Sequence, residues 1–224
     1  DFLINLAGML ARNEQTAEAG GAIDRLIARE PNQALHRLRR QSLCPAVFAD
    51  ASEMSHWREQ ILSTWKGLAE EHWSVDLNTL VDTACEPPFN LQFLDGNLRD
   101  LKEAYARIFA SRLPRFAPPD NPGRPRVGFV VTRGHEGVFL KSIGPILQRL
   151  DPRLAEWVVF GPNESVSSLS AAIESTAILV QGLAERFASK VDQLRDAHCD
   201  VLCYFEIGTD ATNYFLPMLR LAKV

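Results

Sequence analysis

RVGFVVTRGHEGVFLKSIGPIL, residues 126–147, decides the fold of this chain. It opens with an apolar run typical of a buried strand, and a turn with two glycines then leads into a helical pattern. The same alternation continues through the rest of the sequence, which predicts βαβ units and a parallel sheet. Strands are predicted at 126–132, 157–160, 177–180 and 200–204, and helices at 138–150, 167–175, 184–197 and 212–221.

The first part of the chain has the pattern of a helical hairpin. Residues 1–31 contain two helical runs, 2–12 and 16–30, closed by a proline. Their small and apolar positions, Ala19 and Ile23 among them, match the packing residues of a tetratricopeptide unit. We therefore predict a tetratricopeptide-like hairpin over 1–31.

A helical neck and a linker are predicted between the hairpin and the sheet. The neck covers 32–113, with helices at 34–43, 53–71, 76–85 and 98–112. Residues 114–125 carry five prolines and one glycine, a composition typical of a linker. The predicted fold class is therefore α + α/β, in which the hairpin and neck precede an incomplete Rossmann-like sheet over 126–224.

Composition and charge exclude several classes of function. The net charge of −4 gives no basic surface for nucleic acid, and no apolar stretch approaches the roughly 20 residues that span a bilayer. Four cysteines in a chain of 224 residues do not form a disulfide framework, which favours a reducing compartment and a cytoplasmic location. His198, Cys199 and Cys203 lack a second pair of ligands nearby, so no metal site is expected.

The candidate site lies in the loops that follow the strands, because ligands of doubly wound sheets bind at the carboxyl ends of the strands. Gly134 and Gly137 flank His135 after the first strand and would let backbone amides approach an anion such as a sugar diphosphate. The spacing is not GxGxxG, so dinucleotide binding is unsupported. Gly208 and Thr209 lie in the loop after the last strand.

The residues alone leave the role of His135 open. An imidazole can act as a base, an acid or a hydrogen-bond donor near neutral pH, whereas a histidine in this turn could also simply cap the following helix. Asp210 is expected to cap the last helix. The spacing between Glu206 and Asp210 does not show whether the two carboxylates face each other.

Five stretches together resemble a known family. They are LCPAVF (43–48), PPFNLQF (87–93), LKEAYA (101–106), VGFVVTRGHEGVFLKSIGPIL (127–147) and DVLCYFEIGTDATNYFLPMLRLAKV (200–224). With the hairpin and neck, they are similar to the O-linked N-acetylglucosamine transferases and the related SPINDLY protein fucosyltransferases, particularly bacterial members. The resemblance implies a GT-B fold with two Rossmann-like lobes, of which this chain would supply the first.

The family implies roles for individual residues. A histidine after the first strand, in a pattern like Gly-Asn-His-Pro, corresponds to catalytic His135, although the loop here is shorter and lacks the proline. Gly134, Gly137, Gly208 and Thr209 would bind substrate, and the family's asparagine before the last two is replaced by Glu206. The implied reaction needs no metal or cofactor and transfers a sugar, with UDP-N-acetylglucosamine as the expected donor, to a protein or peptide Ser/Thr.

Two alternatives stay open at this stage. The donor could be GDP-fucose, as in the SPINDLY enzymes, or the chain could be a non-catalytic module whose tetratricopeptide-like hairpin binds a peptide. The sequence is expected to be a piece of a longer protein without its donor-binding lobe, and therefore inactive alone. A second Rossmann-like lobe after Val224 would favour the enzyme. The oligomeric state is not indicated.

Overall fold

The computed structural model describes residues 2–120 and 123–224 and divides into two compact units, Asp1–Leu113 and Pro114–Val224. The first unit is helical and the second is built on a parallel sheet, which confirms the predicted α + α/β fold class. Asp1 of the predicted hairpin, and Asn121 and Pro122 of the predicted linker, lie outside the described residues.

The first unit consists of helices joined by short turns. They are α1 (Phe2–Arg12), α2 (Thr16–Arg29), α3 (Ala34–Gln41), α4 (Ala51–Glu70), α5 (Leu77–Asp82) and α6 (Arg99–Phe109), with a 3₁₀-helix at Phe89–Phe93 before α6. The predicted helix 76–85 ends three residues early, at Asp82. Ala84 has a left-handed φ of 47°, which cannot continue a right-handed helix.

Small side chains bring α1 and α2 together as a hairpin. Ala7, Ala22 and Ile23 form its buried cluster, with larger apolar residues packed around them. Ala19 is fully buried as well. Close approach of two helices requires small residues at the contact, and the residues predicted to pack on α2 are buried in this hairpin.

The neck is held by aromatic side chains from α4 and α6. Trp65 and Tyr105 are fully buried, with ring centroids 5.0 Å apart at an interplanar angle of 73°. Their polar atoms are also satisfied, because Trp65 Nε1 donates to Ser42 Oγ at 2.9 Å and Tyr105 Oη donates to the Cys85 carbonyl at 2.5 Å. Edge-to-face geometry with paired polar atoms makes this contact a stable core rather than a ligand site.

The second unit alternates strands and helices around one sheet. Its elements are β1 (Arg126–Val130), α7 (Glu136–Leu147), β2 (Glu156–Pro162), α8 (Val166–Ile173), β3 (Ile178–Leu183), α9 (Phe187–Asp196), β4 (Val201–Tyr204) and α10 (Ala211–Phe215), with a 3₁₀-turn at Asn163–Ser165 before α8. All strand pairs are parallel, in the order β3-β2-β1-β4. The predicted parallel sheet is therefore confirmed.

The strand order decides which loops are neighbours. β1 lies between β2 and β4, and Val130 at its end pairs with Tyr204 at the end of β4. Since parallel strands end at the same edge, the loop after β1 and the loop after β4 emerge side by side. These are the two loops that the sequence singled out.

The last predicted helix, 212–221, is shorter in the structure. The α-helix ends at Phe215 and continues as a 3₁₀-helix, Leu216–Leu219, that contains Pro217. Proline has no backbone N–H to sustain the α-helical pattern, and Arg220 then takes a left-handed φ of 50°. Further on, Val224 donates to the Asp200 carbonyl and accepts from the Leu202 N–H, the pattern of neighbouring parallel strands at the outer edge of β4.

Within the described residues, none of the helices is both long and apolar enough to cross a bilayer.

The four cysteines, all among the described residues, are free thiols and differ in accessibility. Cys44, Cys85 and Cys199 are buried, and burial raises the pKa of the first two to about 12 and that of Cys199 to about 11. Cys203 is exposed, although partial burial still raises its pKa. Thiolates are the reactive form, and Cys203 is the one of these four thiols that a reagent in solvent can reach.

We therefore expect an alkylating reagent to modify one thiol per native chain at pH 8 and all four after unfolding. The modified residue should be Cys203, identified by peptide mass spectrometry. Its rate should rise with pH above 8, because a raised pKa leaves most of the thiol protonated there. Rapid labelling of Cys85 in the native chain would contradict the packing of the neck.

Candidate functional site

The loop after β1 carries His135 at the start of α7. Gly134 has a φ of 80°, which only glycine adopts without strain, and this turns the chain between strand and helix. The His135 N–H donates to the Thr132 carbonyl at 3.1 Å and closes the turn. Gly137 lies in the first exposed turn of α7, where an added Cβ would meet no neighbouring atom within 4 Å.

The loop after β4 carries the second polar group. Glu206 and Gly208 have positive φ values of 59° and 96°, so the chain reverses sharply after the strand. The Thr209 hydroxyl donates to the Glu206 carbonyl at 2.9 Å. Asp210 caps α10 by accepting the Asn213 N–H at 2.6 Å, which confirms its predicted role.

The two loops meet where His135 Nδ1 contacts Glu206 Oε2. The side chains of His135 and Glu206 are 41% and 25% exposed, so the pair is half-buried and reachable from solvent. The alternative in which the His135 side chain caps α7 is wrong, since that side chain makes no capping hydrogen bond. The ring instead contacts the loop after β4, across the edge of the sheet.

This pairing determines what the imidazole can do. An ionised carboxylate only accepts hydrogen bonds, so Nδ1 must carry the proton that it donates to Glu206. The neutral ring then presents Nε2 with a free lone pair. A histidine oriented by a carboxylate in this way can accept a proton from a hydroxyl, and the carboxylate stabilises the imidazolium that forms.

A buried cluster anchors both loops. The Asn213 carboxamide donates to Thr132 Oγ1 and, at 3.0 Å, to the Phe205 carbonyl, while the Thr132 hydroxyl donates to that same carbonyl at 2.6 Å. Thr132 and Asn213 are 3% and 1% exposed. Thr132 lies two residues after the end of β1, and Phe205 directly precedes Glu206.

The first turn of α7 is stabilised by a different carboxylate, Glu136. Burial opposes its ionisation, but backbone N–H groups and the Ser165 hydroxyl, at 2.8 Å, outweigh that effect and lower the pKa of Glu136. Glu136 therefore stays ionised at the helix N-terminus, where negative charge is favourable. The N-terminus of α7 is therefore already occupied by the carboxylate of Glu136.

Charged side chains of both signs lie on the loops and helix starts at this edge of the sheet. Arg133 contacts Glu164 at 2.7 Å and Glu185 at 3.7 Å, on the loops after β2 and β3. Burial lowers the pKa of Lys190, and the negative charge of Asp210 opposes this shift more than any other carboxylate does. These carboxylates outnumber the two cations, so this edge does not by itself favour an anionic ligand.

The described residues contain no cluster of three or more His, Cys, Asp or Glu side chains that could hold a metal ion. Cys199 is buried and Cys203 is exposed, so these neighbours in sequence do not face one space.

Comparisons with known proteins identify the fold. No protein-family model matches this chain, and no curated protein sequence matches it. Among solved structures, it is similar to a lysine-to-methionine mutant of the O-GlcNAc transferase of Thermobaculum terrenum, with 15% identity and a TM-score of 0.51. The match covers 99% of this chain and 42% of that chain. The chain thus has an architecture similar to that of part of an O-GlcNAc transferase.

Proposed function

We propose that this chain is part of an inverting glycosyltransferase that moves a sugar from a nucleotide-sugar donor to a Ser or Thr hydroxyl of a protein. The observation that carries the proposal is the His135–Glu206 pair, which lies at the carboxyl edge of a sheet in a fold similar to that of an O-GlcNAc transferase. In the proposed enzyme UDP-N-acetylglucosamine is a substrate, and neither a metal nor another cofactor takes part.

In the proposed reaction, His135 acts as the general base. Its Nε2 takes the proton of the acceptor hydroxyl while the hydroxyl oxygen bonds to the anomeric carbon and the bond to the nucleotide diphosphate breaks. The imidazolium formed on His135 is stabilised by the ionised Glu206. The proton leaves later to solvent, so the enzyme returns to its initial state. The single displacement inverts the configuration at the anomeric carbon.

The remaining predicted residues serve as a border of the substrate site in this proposal. Gly134 and Gly137 leave the space beside His135 free of side chains, so a sugar or an acceptor backbone can approach closely. Gly208 and Thr209 flank the other side on the β4 loop. The Thr209 hydroxyl already donates to the Glu206 carbonyl, so it is available to a ligand chiefly as an acceptor.

The test is a transfer assay on the complete protein encoded by the gene, with UDP-N-acetylglucosamine and GDP-fucose offered in parallel to mixed protein acceptors. Mass spectrometry would detect the sugar on Ser or Thr. We expect transfer from the first donor and none by the 224-residue chain alone. Transfer from GDP-fucose would assign the alternative donor, and no transfer from either would favour the peptide-binding module.

Replacing Glu206 by glutamine tests the pairing directly. The amide keeps the shape of the side chain but loses the charge that stabilises the imidazolium. We expect kcat/KM to fall by about 10- to 100-fold, since a hydrogen bond between charged groups contributes roughly 1.5–3 kcal/mol.

The matched control is Glu164→Gln, the same change on a carboxylate of the same sheet edge that pairs with Arg133. It should change kcat/KM by less than about twofold, because exposed ion pairs contribute little. Equal losses in the two variants would show that general surface charge, and not the pairing with His135, is what matters.

A further inference from the structure

The buried cluster of Thr132, Asn213 and the Phe205 carbonyl has a second use beyond packing. Asn213 makes three hydrogen bonds that reach three segments: Thr132 after β1, Phe205 after β4, and Asp210 at the start of its own helix. These hydrogen bonds tie the segment before His135 to the segment before Glu206. The cluster therefore works as a brace between the two loops.

The chemistry of Asn213 favours a specific role in geometry. Burying a polar side chain is costly unless its hydrogen bonds are made. The carboxamide of Asn213 donates to two acceptors, whereas an apolar side chain could fill the same space without needing any hydrogen bond. The Phe205 carbonyl receives two donors, from Asn213 and Thr132. A fully satisfied buried network fixes one arrangement and excludes others.

We infer that Asn213 is a positioning residue, which holds the β4 loop against the β1 loop so that Glu206 meets Nδ1 of His135. Phe205 is the residue next to Glu206, so a displacement of its carbonyl moves the carboxylate directly. The consequence for rate rests on the proposed function, whereas the consequence for the imidazole concerns the chain alone.

The experiment is nitrogen NMR of the His135 imidazole in the 224-residue chain, assigned by comparison with the His135→Ala spectrum. Wild-type His135 should be in the Nδ1–H tautomer when neutral. In Asn213→Leu and Thr132→Val, which remove the polar groups at similar volume, the ratio of Nδ1–H to Nε2–H should fall about fivefold, the factor that the loss of one ordinary hydrogen bond corresponds to. The double variant should show no further fall, because both changes break one network.

The control is Phe215→Leu, which loosens a fully buried side chain of α10 without removing any hydrogen bond of the cluster. It should lower the melting temperature and leave the tautomer ratio unchanged. An unchanged ratio in folded Thr132→Val and Asn213→Leu would overturn the inference. If Asn213→Leu does not fold, Thr132→Val alone decides.

Transfer assays on the complete protein separate the two proposals. A changed tautomer ratio with an unchanged rate would keep Asn213 as a positioning residue and refute His135 as the base. A reduced rate in Thr132→Val with an unchanged ratio would overturn the positioning role and leave the proposed function standing.

Discussion

We expect alanine at His135 to lower kcat/KM for the proposed sugar transfer by about 10²- to 10⁴-fold in the complete protein, the usual contribution of a positioned general base. The loss arises because, in the proposed reaction, the imidazole paired with Glu206 is the group that takes the proton of the acceptor hydroxyl. Stability should change by no more than about 1 kcal/mol, since the half-exposed ring loses one hydrogen bond to Glu206 and makes no capping hydrogen bond. Steady-state kinetics and thermal melting measure the two effects on one sample.

The control for this variant is His56→Ala, which removes an exposed imidazole on α4 of the first unit. It should leave both kcat/KM and the melting temperature unchanged. A His135→Ala enzyme with full activity and a lowered melting temperature would give this residue a structural role and remove the base from the proposed mechanism.

The parallel sheet could be predicted because its signals are local. Each strand is an apolar run, the turn after β1 contains glycine, and each helix repeats its apolar residues with the helical period. The loop of Gly134 and His135 was placed for the same reason. Helix α10 was predicted too long because the periodicity outweighed Pro217, which limits the α-helix to Ala211–Phe215.

The part of Glu206 in the site could not be predicted in the same way. It lies 71 residues from His135 in sequence, and the two meet only because β4 pairs with β1. The contact also depends on a left-handed φ at Glu206, a conformation that cannot be predicted from the presence of a glutamate in the sequence. A useful signal was available: polar residues after two strands are candidates for contact whenever those strands are neighbours in the sheet.

Phe139 joins the core of the second unit to the site. It is fully buried on the inner face of α7, within a cluster of apolar residues from the sheet and α8. Its ring lies 6.5 Å from that of Phe129 on β1 and 5.3 Å, edge to face, from that of Phe205 after β4. One side chain therefore packs against β1 and against the residue that follows β4, next to the loops that carry His135 and Glu206.

Phe139→Ala should destabilise the second unit by about 3–5 kcal/mol, through the lost burial of the ring and the cavity left behind. Because the chain has two units, a single melting curve does not assign the loss. Native-state hydrogen exchange, resolved to peptides of residues 126–204, measures the free energy of opening of this unit. Peptides of α1–α6 should keep their wild-type exchange rates.

Val138→Ala is the matched control, because Val138 is the neighbouring residue of α7 and is 49% exposed. It should shift the free energy of opening by less than about 0.5 kcal/mol. A loss below about 1 kcal/mol in Phe139→Ala would show that the cluster relaxes around the missing ring. A loss of about 3–5 kcal/mol would show that the Phe139 ring stabilises the sheet. If the tautomer ratio of His135 also changes while the unit remains folded, the same ring holds the Phe205–Glu206 segment against His135.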